Sequence, residues 1–309
     1  MMNDLSPWIL IDLGWLSYRS MHAMGGSGLS HNEHSTGVLY GLLEQIRSLA
    51  YDPKLLSNRI AIFCDSRHSF RRDVYPEYKQ QRRAKRTDKE IAMRRAMDDQ
   101  IKVVLPALRE IGFPVFRQRG LESDDLMAMA ARFLDSNAKF GVIVTADGDL
   151  YQCITNYVHW YDPSRNRYMD EAAFYRHAEG LDPHQWALAK CLYGCASDNV
   201  KGVPGVGPKT ALQHQLGFFP VKGKKGIALQ SEEGLQIIAR NQKLILLPHA
   251  ATKPITLHEP EYNRRAFFRF CRRYGLASYL RNPRRRYWNA FFEGLLSSQR
   301  TRKRGEKYE

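Results

Sequence analysis

The chain has 309 residues, 43% of them hydrophobic, which is enough apolar surface for a sizeable core and excludes an intrinsically disordered chain. Lys and Arg number 47 against 32 Asp and Glu, a formal charge of +15, so a polyanion is the first partner to expect. No run of 18 apolar residues occurs and no basic segment with a long apolar stretch opens the chain, which argues against a membrane span and a signal peptide and for a cytoplasmic setting.

Residues 8–11, WILI, read as a short buried strand ending at Asp12, and residues 60–64, IAIFC, as a second ending at Asp65. Between 69 and 86 the sequence SFRRDVYPEYKQQRRAKR has almost no apolar periodicity and reads as an exposed basic segment. Thr87 and Glu90 form a capping-box pattern that opens a helix over 88–111, with Ile91, Met97, Ile101, Leu105, Leu108 and Ile111 close to a 3.6 period. A second helix begins near Ser123, its apolar stripe carried by Leu126, Met129, Ala130 and Phe133. Residues 140–145, FGVIVT, read as a third strand, followed by ADGD.

Continuous apolar strands alternating with helices predict an α/β fold, with a mostly parallel central sheet flanked by helices. After residue 185 short helices with Gly and Pro turns dominate. The expected division is therefore a catalytic α/β domain over 1–185 and a helical C-terminal region over 186–309, with 217–226 as a basic loop and 300–309 as a polar tail. The five cysteines, at 64, 153, 191, 195 and 271, complete no zinc pattern, which fits a reducing compartment.

Parallel sheets place ligands at the carboxyl ends of their strands, and all three strands deliver aspartate there. Asp12, Asp65, Asp147 and Asp149 follow strands, Glu122, Asp124 and Asp125 lie at a helix start, and Asp198 lies further on. So many carboxylates in one place repel unless cations neutralise them. Oxygen donors favour Mg²⁺ or Mn²⁺, and this number suits two ions roughly 3.5–4 Å apart around a phosphodiester. Single acids such as Asp124 and Asp125 would also serve as helix-start residues without any metal.

Residues 67–95 hold eleven Lys or Arg against four Asp or Glu, with Phe70, Tyr75 and Tyr78 interleaved. Cations neutralise phosphates and aromatic rings stack exposed bases, so Tyr75, Tyr78 and Arg83 are expected nucleic-acid contacts. Residues 202–211, GVPGVGPKTA, place glycines before a helix start, where backbone N–H groups can hold a phosphate oxygen. Gly205, Gly207, Lys209 and Thr210 are the expected contacts there. The spacing is not that of a nucleotide-binding P-loop, since Pro208 stands where that motif needs Lys. The turn is similar to a helix-hairpin-helix turn.

IDLG at 11–14, IFCD at 62–65, FRRDVYPEYKQQR at 70–82, LESDD at 121–125, TADGDLYQ at 145–152 and SDNVKGVPGVGPKTA at 197–211 together resemble the 5′-nuclease family. That family includes flap endonucleases, phage 5′-exonucleases and the 5′-nuclease domains of bacterial DNA polymerases, with a PIN-like fold. The resemblance implies a first metal served by Asp12, Asp65, Glu122 and Asp124, and a second shaped by Asp125, Asp147, Asp149 and Asp198. It further implies Lys79 and Arg82 at the base of an arch that 5′ ends pass, Arg71 at the phosphate near the cut, Tyr75 against the terminal base pair, and a hairpin turn that holds K⁺ and anchors the duplex. The implied products carry a 5′-phosphate.

The implied partners are DNA with a 5′ flap, nick or free 5′ end, and RNA–DNA hybrids. The chain is expected to be a monomer, and a single-strand-binding protein is a further candidate partner. One position departs from the pattern: GCASDN puts Cys195 where relatives carry an aspartate for the second metal, a softer donor with one charge fewer. The reading is a metal-dependent 5′–3′ exonuclease and flap endonuclease. Its alternatives are a weakened or non-catalytic protein that binds branched nucleic acid, and an enzyme of small phosphate esters, which would need neither the basic segment nor the turn.

Overall fold

The structure, a computed structural model, describes residues 6–84, 86–217 and 221–294, the side chains of 83 and 84 excepted. β1 (Trp8–Asp12) runs directly into α1 (Leu13–Met24). A hairpin of β2 (Ser30–His31) and β3 (His34–Ser35) leads to α2 (Gly37–Ala50) and then β4 (Ile60–Phe63). The basic segment folds as two single turns, α3 (Arg71–Val74) and α4 (Gln81–Ala84), before the long α5 (Asp88–Ile111). Thr87 and Glu90 cap α5 reciprocally: the Glu90 N–H donates to Thr87 Oγ1 at 3.3 Å and the Thr87 N–H to Glu90 Oε2 at 2.8 Å. β5 (Val115–Phe116), α6 (Ser123–Ser136), β6 (Gly141–Val144), β7 (Val158–Asp162) and β8 (Arg167–Met169) complete the sheet.

The six strands lie in the order β5-β4-β1-β6-β7-β8. All neighbours pair in parallel except β7 and β8, so the sheet is mixed but mostly parallel, as the apolar runs predict. Alternate residues of β1 feed two cores. Ile9 and Ile11 pack with Leu42, Ile60 and Val142 on one face, and Trp8 and Leu10 pack with Phe63, Leu126 and Ile143 on the other. The edge strands β5 and β8 and the interior strand β7 were not predicted, because β5 and β8 are two and three residues long and β7 carries His159 and Asp162 among its apolar residues.

Beyond the sheet come α7 (Glu171–His177), α8 (Pro183–Tyr193), a hairpin of β9 (Gly194–Cys195) and β10 (Val200–Lys201), and α9 (Pro208–Leu216). Then follow α10 (Gly223–Gln230), α11 (Glu232–Ile245), α12 (Arg264–Arg273) and α13 (Arg284–Phe292). The expected division near 185 falls inside α8, which Asp182 caps from before it. The C-terminal helices also share the sheet's core: Phe267, Phe270, Trp288 and Phe291 pack with Ile9, Ile60 and Leu108. The segment expected as a loop over 217–226 becomes helical from Gly223, while 218–220 and the polar tail 300–309 lie outside the described residues.

Candidate metal centre

The acids gather where the sheet predicts. Asp12 ends β1 and turns to cap α1, accepting from the Gly14 N–H at 2.8 Å. Asp65, two residues past β4, accepts from the Ser123 N–H at 2.8 Å and so ties the strand end to the start of α6. Asp147, past β6, accepts from the Asp149 N–H at 2.8 Å. Burial and then the Asp65 carboxylate push Asp12 up to about 7. Asp124 is raised well above the ordinary aspartate range by burial and by Asp147, with Asp12 and Glu122 adding to it. Asp147 is raised by burial and by Asp149. Carboxyls crowded in this way resist ionisation until a cation joins them. Among the described residues no Lys or Arg forms an ion pair with Asp12, Asp65, Asp124 or Asp147.

The basic segment closes over this group. Lys79 sits in the left-handed region at φ +56, and its N–H donates to the Asp198 carbonyl at 2.8 Å. Its Nζ reaches Glu122 Oε2 at 2.8 Å and lies 3.7 Å from Asp198 Oδ2. Burial works against the Glu122 charge, but Lys79 and Arg71 outweigh it and hold the group below its ordinary range. Burial likewise opposes the Lys79 charge, and Glu122 outweighs it and raises the group well above the lysine range. Arg82 donates to Asp198 Oδ1 at 2.5 Å and stands half exposed at the rim. The Arg83 side chain lies outside the described residues.

Three expected residues hold other positions. Arg71 is buried, donating to Asp125 Oδ2 at 2.6 Å and Oδ1 at 2.7 Å and through Nε to the Leu244 carbonyl at 2.8 Å. Asp125, fully buried, also accepts from the Glu122 and His249 N–H groups at 3.1 and 2.8 Å. A carboxylate with four donors has little left for a metal, so this pair joins α3, α6 and the segment after α11, while Arg71 also lies 4.0 Å from Glu122 and lines the small cavity of the acid cluster. Tyr78 is buried too, so its ring is not available to stack on a base. Its hydroxyl lies 3.1 Å from both Glu122 Oε2 and Asp198 Oδ2 and bridges two parts of the cluster. Tyr75 is half buried, with the Arg240 guanidinium 4.7 Å from its ring centroid.

Asp149, Cys195 and Asp198 form a second group, with ligand atoms within 4.8 Å of one another. Cys195 is brought there by the β9–β10 hairpin, where it pairs with Val200. Gly194 makes that hairpin possible: at φ +84 a Cβ would stand 2.3 Å from the Val200 carbonyl oxygen. The thiol lies 3.1 Å from Ser197 Oγ, and burial and Asp149 push it up. Lys190 of α8, which the sequence reading missed, is ion-paired with Asp149. Its signal was a lone lysine among apolar neighbours, Ala187, Ala189, Cys191 and Leu192, five residues before Cys195. A cavity of about 20 Å³ opens here, lined by Tyr78, Glu122, Asp124, Asp149, Cys195 and Asp198.

The donor sets differ in what they fit. The first group offers only oxygen, from carboxyls that form no ion pair among the described residues, and this suits a hard divalent ion. The second mixes two carboxylates with a thiol and an ammonium, a poor set for Mg²⁺.

Beyond Cys195 the chain enters a turn that packs α8 on α9. Gly202 sits so close to the Tyr193 backbone that a Cβ would meet its carbonyl carbon at 2.2 Å. Gly205, at φ +74, and Gly207 face open space, with nothing within 4 Å of a Cβ. Pro208 takes the first helical position and Lys209 is exposed. Thr210 is buried and its hydroxyl accepts from Lys225 Nζ at 3.3 Å, so it supports the turn from beneath. A larger cavity, about 360 Å³ between Pro204, Lys224, Ile227 and Ser231, lies beside this turn and is lined by a single acid, Glu233.

A mostly parallel sheet with acids at its carboxyl ends, under a basic segment and beside a glycine turn, is the architecture of the 5′-nuclease fold. The chain belongs to the family described as the 5′-3′ exonuclease N-terminal resolvase-like domain, whose model matches residues 7–179. It is 27% identical over 264 residues to a 5′-3′ exonuclease of Buchnera aphidicola from Schizaphis graminum, covering 85% of this chain and 84% of that one. It is 32% identical over 204 residues to the thermostable DNA polymerase I of Thermus aquaticus, covering 66% of this chain and 23% of the polymerase. The chain thus spans under a quarter of that polymerase's length. Among solved structures it is similar to T5 5′-exonuclease with bound divalent zinc ions, at 25% identity and a TM-score of 0.62 over 78% of this chain and 89% of that one. Among the described residues no helix is long and apolar enough to cross a membrane.

Proposed function

We propose that this chain is a divalent-metal-dependent 5′–3′ exonuclease and flap endonuclease that hydrolyses phosphodiesters at 5′ ends or flaps of DNA or RNA–DNA hybrids. The observation that carries the reading is the acid group at the strand ends, without an ion pair among the described residues and closed over by Lys79 and Arg82 from the basic segment. Asp12, Asp65, Glu122 and Asp124 would hold a Mg²⁺ or Mn²⁺ ion, with Asp147 beside them, and Asp149, Cys195 and Asp198 would form the weaker second place. The bound ion lowers the pKa of a water and stabilises charge on the phosphate.

The chain's own residues orient and balance that charge. Lys79 and Arg82 lie above the acids as the nearest cations for a scissile phosphate, and each is released from its carboxylate as the phosphate takes that place. Tyr78 fixes Glu122 and Asp198 relative to each other. Arg71 and Asp125 hold the floor. The turn at 202–210 acts as a helix-hairpin-helix element: its open glycines let a duplex phosphate reach the backbone N–H groups at the start of α9, with Lys209 adding charge. The products are a 5′-phosphate and a 3′-hydroxyl.

Cys195 favours one second reading, a nuclease-fold protein with weakened chemistry that binds branched nucleic acid. A 5′-flap duplex labelled at its 3′ end separates the two. Cutting near the junction in Mg²⁺, abolished by EDTA and by Asp124→Asn, supports the nuclease. Tight flap binding with no cutting in Mg²⁺ or Mn²⁺ supports the weakened protein.

A further inference from the structure

We propose that the Lys190 ammonium is the resident cation of the second half of the acid cluster, so that this chain takes up one divalent ion firmly where the number of acids suggests two. The inference rests on the metal-dependent reading above and deepens it.

Lys190 is placed for this by three contacts. Its side chain is largely buried on α8, its Nζ is ion-paired with Asp149, and the same Nζ lies 4.9 Å from the Trp186 ring centroid. An ammonium held between a carboxylate and an aromatic face has a defined location. Asp149 is one of the three residues whose ligand atoms converge within 4.8 Å, with Cys195 and Asp198. The lysine thus neutralises the donor set from inside.

The charges of the two halves differ accordingly. Asp12, Asp65, Asp124 and Asp147 form no ion pair with a Lys or Arg among the described residues, so the oxygens of that half are free to exchange their protons for a divalent ion. In the other half Asp149 and Asp198 are the carboxylates, and Cys195 supplies sulfur in place of a third. Against them stand Lys190 on Asp149, Arg82 at 2.5 Å from Asp198, and Lys79 at 3.7 Å from it. Lys190 and Arg82 balance Asp149 and Asp198, and Lys79 is shared between Asp198 and its closer partner Glu122, so these ion pairs leave little negative excess for a second ion. Space agrees: the cavity of about 20 Å³ accepts roughly one water, whereas Mg²⁺ keeps several of its own. Cys195 and Lys190 then act together, since a thiol in place of a carboxylate and an ammonium beside Asp149 shift the local charge in the same direction. The ammonium also presents N–H donors to a phosphate oxygen that enters the cavity.

The test counts ions in the absence of substrate. Mn²⁺ is titrated into the full chain and bound Mn²⁺ is followed by electron paramagnetic resonance. The wild type should bind one ion, with any second requiring about tenfold more Mn²⁺ or above. Lys190→Met/Cys195→Asp should bind two with similar affinity and show the coupled spectrum of ions about 4 Å apart. Lys190→Arg, which keeps the cation, should remain at one.

Two ions of similar affinity in the wild type, no ion in the wild type, or an unchanged count in the double variant would each overturn the proposal. If circular dichroism shows the double variant unfolded, Lys190→Met and Cys195→Asp singly decide it, each expected to tighten the second ion. Flap cutting in the same samples separates this inference from the one beneath it. Cutting with two equal ions rejects the role of Lys190 and keeps the nuclease, and one ion with no cutting does the reverse.

Discussion

Arg71→Met is the most informative perturbation, because the structure and the family resemblance assign that arginine different work. In the structure Arg71 is 2% exposed and Asp125 fully buried, joined by two hydrogen bonds of 2.6 and 2.7 Å. Methionine keeps much of the volume and removes the charge, leaving a buried carboxylate without its cation. Breaking such a pair from one side costs about 3–5 kcal/mol. Taking roughly 2 °C per kcal/mol for a chain of this size, the melting midpoint should fall by about 6–10 °C.

The partner substitution Asp125→Leu should cost a similar amount, because the Glu122 and His249 N–H groups lose their acceptor along with Arg71. The double variant should lose less than the sum of the two, with a coupling energy of about 2 kcal/mol or more. Thermal and urea denaturation of the four proteins in EDTA, with binding of a 5′-flap duplex measured in parallel, read the midpoint and the coupling energy. A midpoint change under about 2 °C for Arg71→Met, together with a large loss of flap binding, would refute the structural assignment and return Arg71 to the phosphate.

Three further predictions address the site. In metal-free buffer Asp12, raised from 3.8 to about 7 by burial and then by Asp65, holds a proton that the unfolded chain has released. Its contribution is complete below about pH 4 and is lost as pH rises through about 7, so the EDTA midpoint should fall across that window and Asp12→Asn should flatten the fall. Asp124 and Asp147 act in the same direction, while Glu122, held low, contributes stability that is lost only on acidification. Mg²⁺ should therefore raise the midpoint more at about pH 8 than at about pH 5.5, since ion and proton compete, and an equal gain at both would contradict the cluster. Gly207→Val places a side chain in open space at an ordinary φ, so stability should change by less than about 1 kcal/mol while duplex affinity falls several-fold, measured by fluorescence anisotropy. Tyr78→Phe removes the hydroxyl between Glu122 and Asp198 and should lower the cutting rate about tenfold with little change in flap affinity, whereas a base-stacking role would reverse those two outcomes.

Much of this was legible in the chain itself. WILI, IAIF and GVIV are apolar at every position, and such runs become central strands because both faces of the sheet are covered. Their aspartates follow at fixed short distances, so the site's location came with the strands. The capping box at Thr87 and the start of α6 were legible for the same reason, since their chemistry is local.

What was not legible depends on partners far apart. Arg71 and Asp125 are 54 residues apart, and nothing local distinguishes a buried guanidinium from the other cations of that segment. Tyr78 meets Asp198 across 120 residues, so its composition suggested stacking where the fold uses its hydroxyl. Lys190 pairs with Asp149 across 41 residues, and its apolar neighbours in sequence give no sign of that partner. The return of α12 and α13 to the sheet was hidden because their arginines mask an apolar face.

That return has a consequence in time. The Asn58 amide donates to the Phe291 carbonyl across 233 residues, and the Tyr51 hydroxyl to that of Tyr287 across 236. On a ribosome adding about 5–20 residues per second, the apolar face of β1, β4 and α2 waits roughly 12–47 s for its cover. The basic segment is made early in that interval, the acid cluster is complete only once Asp198 has been added, and α12 and α13 follow. A chain whose synthesis is interrupted before Trp288 would carry every acid of the site and still expose one side of its sheet, a ready target for chaperones and proteases.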